Sequence, residues 1–237
     1  MKKLLLLVTL VLSSALASCA GEDPVTPDPN AGKRTYISAF YAHPDQTLPV
    51  YVKVGDSVTI RALEYGQFAS GLAPYGDRPV TFQTQSSTVL ITSGNVNIQP
   101  DRSAWAIYAG TGINQEVITS SVAKGTLPSA PFAGVRFIHA SKNAGKVKVR
   151  LDASSGPALT QDFVEFGKSS DAFTTINSST TALVMVNEAG NAIYTLPLTG
   201  LASLLPGKLY TVVMYGNADV NAMTNKLEAR VLLEPGQ

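Results

Sequence analysis

Alternating apolar and polar residues mark much of the chain after residue 34 as β-strand. In LPVYVKVG, the valines at 50, 52 and 54 face one side, and in KVKVRLD, Val147, Val149 and Leu151 do the same. A period of two is typical of a strand that buries one face. Gly, Pro, Asn, Asp and Ser interrupt these runs about every ten residues, and no apolar period of 3.6 lasts long enough to predict a helix. The pattern predicts an all-β protein of short antiparallel strands packed as β-sandwiches.

Several short blocks occur twice in the same order. Tyr41 corresponds to His139, Gly66 to Gly167 and Gly110 to Gly216, so the offset grows from 98 to 101 to 106. The offset would grow in this way if loops of the second copy were longer while its strands kept their length. Blocks that keep their order over about 95 residues are typical of a repeated domain. We therefore predict two tandem antiparallel β-sandwich domains at residues 34–123 and 134–237, joined by a linker at 124–133.

The first 18 residues have the organisation of an export signal. Two lysines are followed by the apolar run Leu4–Leu12 and then by small residues, which are the three regions of a signal peptide. A membrane span needs about 20 apolar residues, so this run is too short to be one. Residues 1–18 are predicted to be a signal peptide.

The end of that segment resembles the lipobox of bacterial lipoproteins. The matching residues are Leu16, Ala17, Ser18 and Cys19. The resemblance implies cleavage before Cys19 and a lipid on its thiol, which would attach the protein to a membrane. The alternative is an ordinary signal with an incidental cysteine. Because Cys19 is the only cysteine, a disulfide within the chain is excluded.

Residues 19–33 have the composition of a flexible tether. They include three prolines and few apolar side chains. The acidic pair Glu22 and Asp23 is similar to a short signal for display across the outer membrane, and it is also what a solvated linker contains. We expect an outer-membrane lipoprotein of the cell envelope, and its face, periplasmic or external, stays open.

The charge of the mature chain excludes nucleic acid as a partner. Without Lys2 and Lys3, 16 basic residues stand against 17 acidic ones, a net charge of −1. Binding to nucleic acid needs a concentrated basic surface. The expected partners are membrane lipid through Cys19 and an extracellular glycan or envelope protein.

The start of the second repeat resembles the family called domain of unknown function 4397. The segment GVRFIHASKNAGKVKVRLD is similar to that family's opening pattern R-x-x-H-A-S-P-D-A-P-x-V-D-V-Y-V-D-G, with Lys142 and Asn143 as departures. The resemblance implies immunoglobulin-like or transthyretin-like sandwiches on secreted bacterial proteins and implies no known reaction. The matching residues are Arg136, His139, Ala140, Ser141, Ala144, Val147, Val149 and Asp152.

Few residues are suited to catalysis. The two histidines, His43 and His139, occupy different positions of the repeat, so we expect no catalytic residues, no metal and no cofactor. His139 is predicted to be a turn residue hydrogen-bonded to the loop at 141–143. Glu64 and Glu165 recur at equivalent positions, but a paired-carboxylate mechanism needs both acids in one site.

Two classes of function fit this sequence. The first is a non-catalytic, lipid-anchored binding or structural module at the bacterial surface, and the alternative is a glycan-binding or hydrolytic accessory protein. A glycan ligand would need exposed rings, for which Tyr36, Phe68 and Tyr75 are the candidates. Other aromatic residues are predicted to pack inside the protein: Trp105, Tyr108, Tyr210 and Tyr215.

Overall fold

The computed structural model describes residues 32–46, 48–56, 58–84, 90–219 and 225–237. Gly32–Gln237 form one compact unit. The described residues contain no α-helix, one short 3₁₀ turn at Gly200–Ala202 and fifteen strands. The strands are β1 (Arg34–Tyr41), β2 (Val50–Val54), β3 (Val58–Leu63), β4 (Phe68–Pro74), β5 (Gly76–Thr84), β6 (Leu90–Ile98), β7 (Arg102–Thr111), β8 (Asn114–Ala123), β9 (Phe132–His139), β10 (Lys148–Leu151), β11 (Thr174–Asn177), β12 (Ala182–Val186), β13 (Ala192–Pro197), β14 (Leu209–Tyr215) and β15 (Glu228–Leu233).

The strands form four sheets, two in each half of the chain. In the N-terminal half, the inner sheet has the order β4-β1-β7-β8 and the outer sheet the order β3-β2-β5-β6. In the C-terminal half, the inner sheet is β11-β9-β14-β15 and the outer sheet is β10-β12-β13. An apolar core lies between the sheets of each pair. The all-β sandwich fold predicted from the sequence is confirmed.

A third apolar cluster joins the two inner sheets. It contains Phe40, Trp105 and Ile107 from the N-terminal half and Ile138 and Tyr215 from the C-terminal half. Central strands of the inner sheets are therefore covered on both faces, and all seven residues of β14 are buried. Strands buried on both faces carry continuous apolar runs, whereas β2 and β10 alternate because only one of their faces is covered.

The sequence pattern predicted antiparallel strands, but two strand pairs of the inner sheets are parallel. β1 pairs with β7 in parallel, and β9 pairs with β14 in parallel. Between β1 and β7 the chain crosses to the outer sheet twice, as β2–β3 and as β5–β6, with β4 in the inner sheet between them. Parallel neighbours need such a crossover. The remaining pairs between named strands are antiparallel, and tight hairpins join some of them.

Corresponding positions of the two halves make the same backbone hydrogen bonds. The N–H of Gly66 donates to the carbonyl of Tyr41 at 2.8 Å, and the N–H of Gly167 donates to that of His139 at 2.9 Å. Strand pairing extends the correspondence to the outer sheets, because β12 pairs with β10 as β5 pairs with β2. Leu183–Met185 of β12 therefore correspond to β5, although the sequence block Leu183–Met185 is most similar to the one at 89–91. The predicted domain boundaries stay a prediction.

Candidate functional site

The residues predicted to carry lipid lie outside the described part of the chain. Cys19 and the lipobox residues Leu16, Ala17 and Ser18 belong to residues 1–31. Among the residues that the structure does describe, no helix is long and apolar enough to cross a membrane.

Loops that follow the central strands of both inner sheets meet at one end of the molecule, which we call the loop end. It comprises the described parts of segments 42–48, 111–114, 140–147 and 216–227. The Asn225 side-chain amide donates to the carbonyl of Pro44, and Lys142 Nζ lies 2.6 Å from Glu116 Oε1. Loops from both halves of the chain therefore contribute to one surface.

His139 ends β9 and is fully buried at the loop end. Its Nε2 lies 2.7 Å from the carbonyl oxygen of Gly145, and its Nδ1 lies 3.3 Å from the backbone nitrogen of Ser141. A carbonyl can only accept, so Nε2 carries the proton and Nδ1 accepts from Ser141. Burial lowers the pKa of His139 to about 4. Both ring nitrogens are thus occupied by the following loop, as the sequence predicted for a turn residue.

His43 binds its own loop in a similar way. Its Nδ1 accepts from the backbone N–H of Asp45 at 3.3 Å, and burial lowers its pKa. The Asp45 carboxylate in turn accepts from the N–H of Gly112 at 2.6 Å, which ties this loop to the β7–β8 turn. The two histidines therefore share a hydrogen bond from the backbone N–H two residues further along the chain.

The position of His139 in the C-terminal half corresponds to Tyr41 in the N-terminal half. The Tyr41 hydroxyl donates to the carbonyl of Gln46 at 2.5 Å, and His139 reaches the carbonyl of Gly145. Each side chain thus connects the end of the first strand of its half to the following loop. This shared role explains how a phenol and an imidazole can replace one another here.

Four tyrosines form a continuous cluster behind these loops. Ring centroids are 5.4 Å apart for Tyr41 and Tyr108, 6.2 Å for Tyr41 and Tyr65, and 5.4 Å for Tyr65 and Tyr215. Burial raises the pKa of all four phenols, that of Tyr108 to about 12. The phenols are therefore neutral at physiological pH, and none is a ready nucleophile. The predicted packing roles of Trp105, Tyr108, Tyr210 and Tyr215 agree with their burial.

A buried polar cluster lies between the inner sheets, and sequence reasoning missed it. Arg136 Nε donates to Thr211 Oγ1 at 2.8 Å, Nη1 to Ser120 Oγ at 2.9 Å and Nη2 to Ser103 Oγ at 2.7 Å. Glu234 accepts from the Ser103 hydroxyl at 2.6 Å and also from that of Thr211. We call these five residues the interface cluster.

Trp105 closes the interface cluster. Its Nε1 donates to Glu234 Oε1 at 3.0 Å, and the guanidinium carbon of Arg136 lies 6.0 Å from the centre of its ring. The one sequence signal for this cluster was a charged residue, Arg136, within an otherwise apolar strand. Its acidic partner, Glu234, follows β15. No local pattern of residues there indicates that this carboxylate is buried.

The proposed ring platform is partly exposed. The side chains of Tyr36 and Phe68 are 39% and 42% exposed, whereas Tyr75, in the turn between β4 and β5, is half-buried. Phe68 stacks on Trp105 with ring centroids 6.4 Å apart. Leu72, which the sequence analysis did not select, pairs with Tyr36 and is 47% exposed. Tyr36, Phe68 and Leu72 form one apolar stripe on β1 and β4.

A cavity of about 420 Å³ opens in the C-terminal half between segments 159–165 and 168–174. Its lining includes Asp162, Glu165, Lys168 and Asp171. The hydroxyls at its wall already make hydrogen bonds within the protein: those of Thr160, Ser169, Ser170 and Thr174.

The candidate acids do not form a shared site. Glu165 Oε1 lies 2.9 Å from Lys146 Nζ on the surface of the C-terminal half, and Glu64 accepts from the side chain of Gln67 in the other half. Within the described ranges, no three His, Cys, Asp or Glu side chains are grouped so that they could hold a metal ion.

These features define an all-β sandwich protein in which loops from both halves build one hydrogen-bonded loop end. Residues 35–150 match the model of a protein family described as domain of unknown function (DUF4397). Over those residues the chain is similar to this family, so the resemblance drawn from the sequence is confirmed. The match begins in β1 and ends in β10. No curated protein matches the chain.

Proposed function

We propose that this chain is a lipid-anchored, non-catalytic protein of the bacterial cell envelope, with a folded part that acts as a binding or structural module. The anchor rests on the signal peptide, the lipobox and the tether in the sequence. The non-catalytic role rests on one structural observation: both nitrogens of the His139 ring are engaged by its own loop. A general base needs a free lone pair directed at a substrate, and His139 has none.

The anchor is tested with three forms of the full chain: the wild type, Cys19→Ala, and Ser18→Ala as a matched control. Ser18→Ala keeps a small residue before the cysteine, so it should be acylated like the wild type. Intact mass should show acyl groups on the wild type and on Ser18→Ala, and Cys19→Ala should leave the membrane fraction. A wild-type protein with a free thiol would overturn the proposal.

The same strains show which side the protein faces. Protease treatment of whole cells should remove a surface-displayed protein and leave a periplasmic one intact. Removal would direct the search to partners outside the cell, and protection would direct it to partners within the envelope.

A second candidate function is glycan binding, favoured by the exposed rings of Tyr36 and Phe68. Exposed aromatic rings offer flat apolar surfaces for ligand contact. Calorimetric titration with a panel of bacterial polysaccharides tests this candidate. Phe68→Ala should remove binding, and Phe163→Ala, which removes a similarly exposed ring in the C-terminal half, should leave it unchanged.

A further inference from the structure

Strand β4 is the outer strand of the inner N-terminal sheet. It pairs with β1 in an antiparallel register in which Phe40 is opposite Phe68, Ser38 opposite Ser70, and Tyr36 opposite Leu72. Its other edge is bonded to no named strand. Edges of this kind offer a row of backbone donors and acceptors to another strand.

The hydrogen bonds at the two ends of β4 identify which backbone groups face outward. The N–H of Tyr41 donates to the carbonyl of Gln67 at 3.1 Å, and the N–H of Tyr75 donates to the carbonyl of Lys33 at 3.2 Å. Alternate residues of an antiparallel strand bond to the same neighbour, so the odd-numbered residues of β4 bond to β1. The N–H and C=O groups of Phe68, Ser70 and Leu72 consequently point away from the sheet.

The side chains at these three positions are exposed. The whole strand, FASGLAP, carries no charge. Charged side chains, bulges and short length are the usual devices that protect an edge strand from pairing with another chain. β4 has seven residues, a continuous register and a proline only at its last position.

The opposite edge of the same sheet differs. β8 packs against β6 of the outer sheet. Gly94 of β6 is so near Val117 of β8 that a Cβ placed on the glycine would be 3.2 Å from the valine side chain. β8 also carries Glu116, which binds Lys142. Of the two edges of this sheet, the unprotected one is therefore that of β4.

We propose that β4 pairs with β4 of a second copy of this chain, antiparallel and centred on Ser70. In this arrangement Ser70 lies opposite Ser70 of the second copy, and Phe68 lies opposite its Leu72. All outward-facing backbone groups of the three residues then have partners. The inner N-terminal sheets of the two copies become one sheet of eight strands. Phe68 and Leu72 alternate along one face, so an apolar contact across the two-fold axis accompanies the backbone bonds.

Charge complementarity selects a second copy in this orientation. Arg34 is paired with Pro74 at one end of β4, and Glu64 contacts Gln67 at the other end. Antiparallel pairing brings Arg34 of one copy and Glu64 of the other to the same end of the paired edges. Parallel pairing would bring like charges together, which is unfavourable.

The experiment uses Ser70→Cys in the full chain, with Ser93→Cys as a matched control. Ser93 is an exposed serine in β6 of the outer sheet, so both variants add one thiol to a strand at the edge of a sheet. Directly opposed residues of an antiparallel pair have Cα atoms about 5.5 Å apart, within the range of a disulfide. Mild oxidation should give at least about ten times more disulfide-linked dimer with Ser70→Cys than with Ser93→Cys or the wild type.

A second variant separates pairing from chance collision. Leu72→Lys places a charge on the exposed face of the edge and should reduce the Ser70→Cys dimer at least tenfold, while the thermal unfolding midpoint stays close to that of the parent. Equal cross-linking of Ser70→Cys and Ser93→Cys, or a cross-link that survives Leu72→Lys, would overturn the proposal. Acylation of Cys19 is read separately from the mass, so failure here is distinct from failure of the anchor.

Discussion

Arg136 and Glu234 form an ion pair sealed between the two inner sheets. Arg136 Nε lies 3.6 Å from Glu234 Oε1, and their side chains are 0% and 1% exposed. Loss of hydration lowers the pKa of Arg136 to about 10, with Glu234 acting in the opposite direction. A buried pair of this kind adds little net stability over apolar residues, but each charge depends on the other.

Glu234→Gln should therefore be strongly destabilising. The substitution leaves the Arg136 charge buried without its counter-charge, which typically costs about 3 to 5 kcal/mol of unfolding free energy. Urea denaturation followed by Trp105 fluorescence measures the change. The control is Glu165→Gln, which breaks an ion pair at the surface and should leave the midpoint nearly unchanged.

Replacing both partners should restore most of that loss. In Arg136→Met with Glu234→Leu, no charge is left buried, and such replacements are often neutral or stabilising. The double variant should be more stable than Glu234→Gln alone. If the single and double variants are equally unstable, shape rather than charge determines the role of this cluster.

The two halves should unfold together. The apolar cluster between the inner sheets includes Phe40, Trp105 and Tyr215, so separation of the halves exposes large side chains to water. Scanning calorimetry should give one transition with a calorimetric enthalpy equal to the van't Hoff enthalpy. Two resolved peaks in the wild type would show that the halves are energetically independent.

Stability should decrease in mild acid because of His139. Its pKa is about 4 in the folded protein and about 6.5 in an unfolded chain, so the unfolded state takes up the proton first as pH falls. The contribution is fully present above pH 6.5 and is lost progressively toward pH 4, by about 3 kcal/mol in total. Denaturation curves at several pH values measure this slope.

His139→Gln serves as the comparison for that measurement. It keeps a side-chain donor for Gly145 but does not titrate, so the slope between pH 6.5 and 4 should fall by about 1.4 kcal/mol per pH unit. His43 remains in this variant, and its own lowered pKa leaves a residual slope. An unchanged slope in His139→Gln would contradict the assignment.

Gly110→Ala should disrupt the end of β7. Gly110 has φ of +132°, and a Cβ there would lie 1.9 Å from the carbonyl oxygen of Asn114. The backbone must move to accept it, so we expect a loss of at least about 3 kcal/mol. Gly112→Ala is the matched control, because Gly112 also has a positive φ but has open space around it. Its cost should be only about 1 kcal/mol.

The sequence predicted the sandwich fold because strands that bury only one face alternate apolar and polar residues, as β2 and β10 do. It did not predict the packing of the inner sheets on each other. The runs around Trp105 and Val213 are apolar on both faces, and such runs are also found in ordinary buried strands. The partner of Arg136 could not be predicted either, since Glu234 comes near it only when β15 and the following residues fold against β14.

His139 was interpreted correctly from its loop, because an i to i+2 bond to the backbone is a local property. The ring platform stays a prediction. Tyr36 and Phe68 are exposed, but the register of β4 on β1, which adds Leu72, is set by tertiary pairing that the sequence does not display.

The common direction of the central strands gives the molecule a polarity. β1 runs from Arg34 toward the loop that contains His43, and β9 runs toward the loop that contains Ser141. Both loops belong to the loop end. Gly236 packs beside Tyr36 near the start of β1, away from those loops. The start of β1 and the loop end therefore lie at opposite ends of the inner N-terminal sheet, so a molecule that binds the four loops does not contact the residues at which β1 begins.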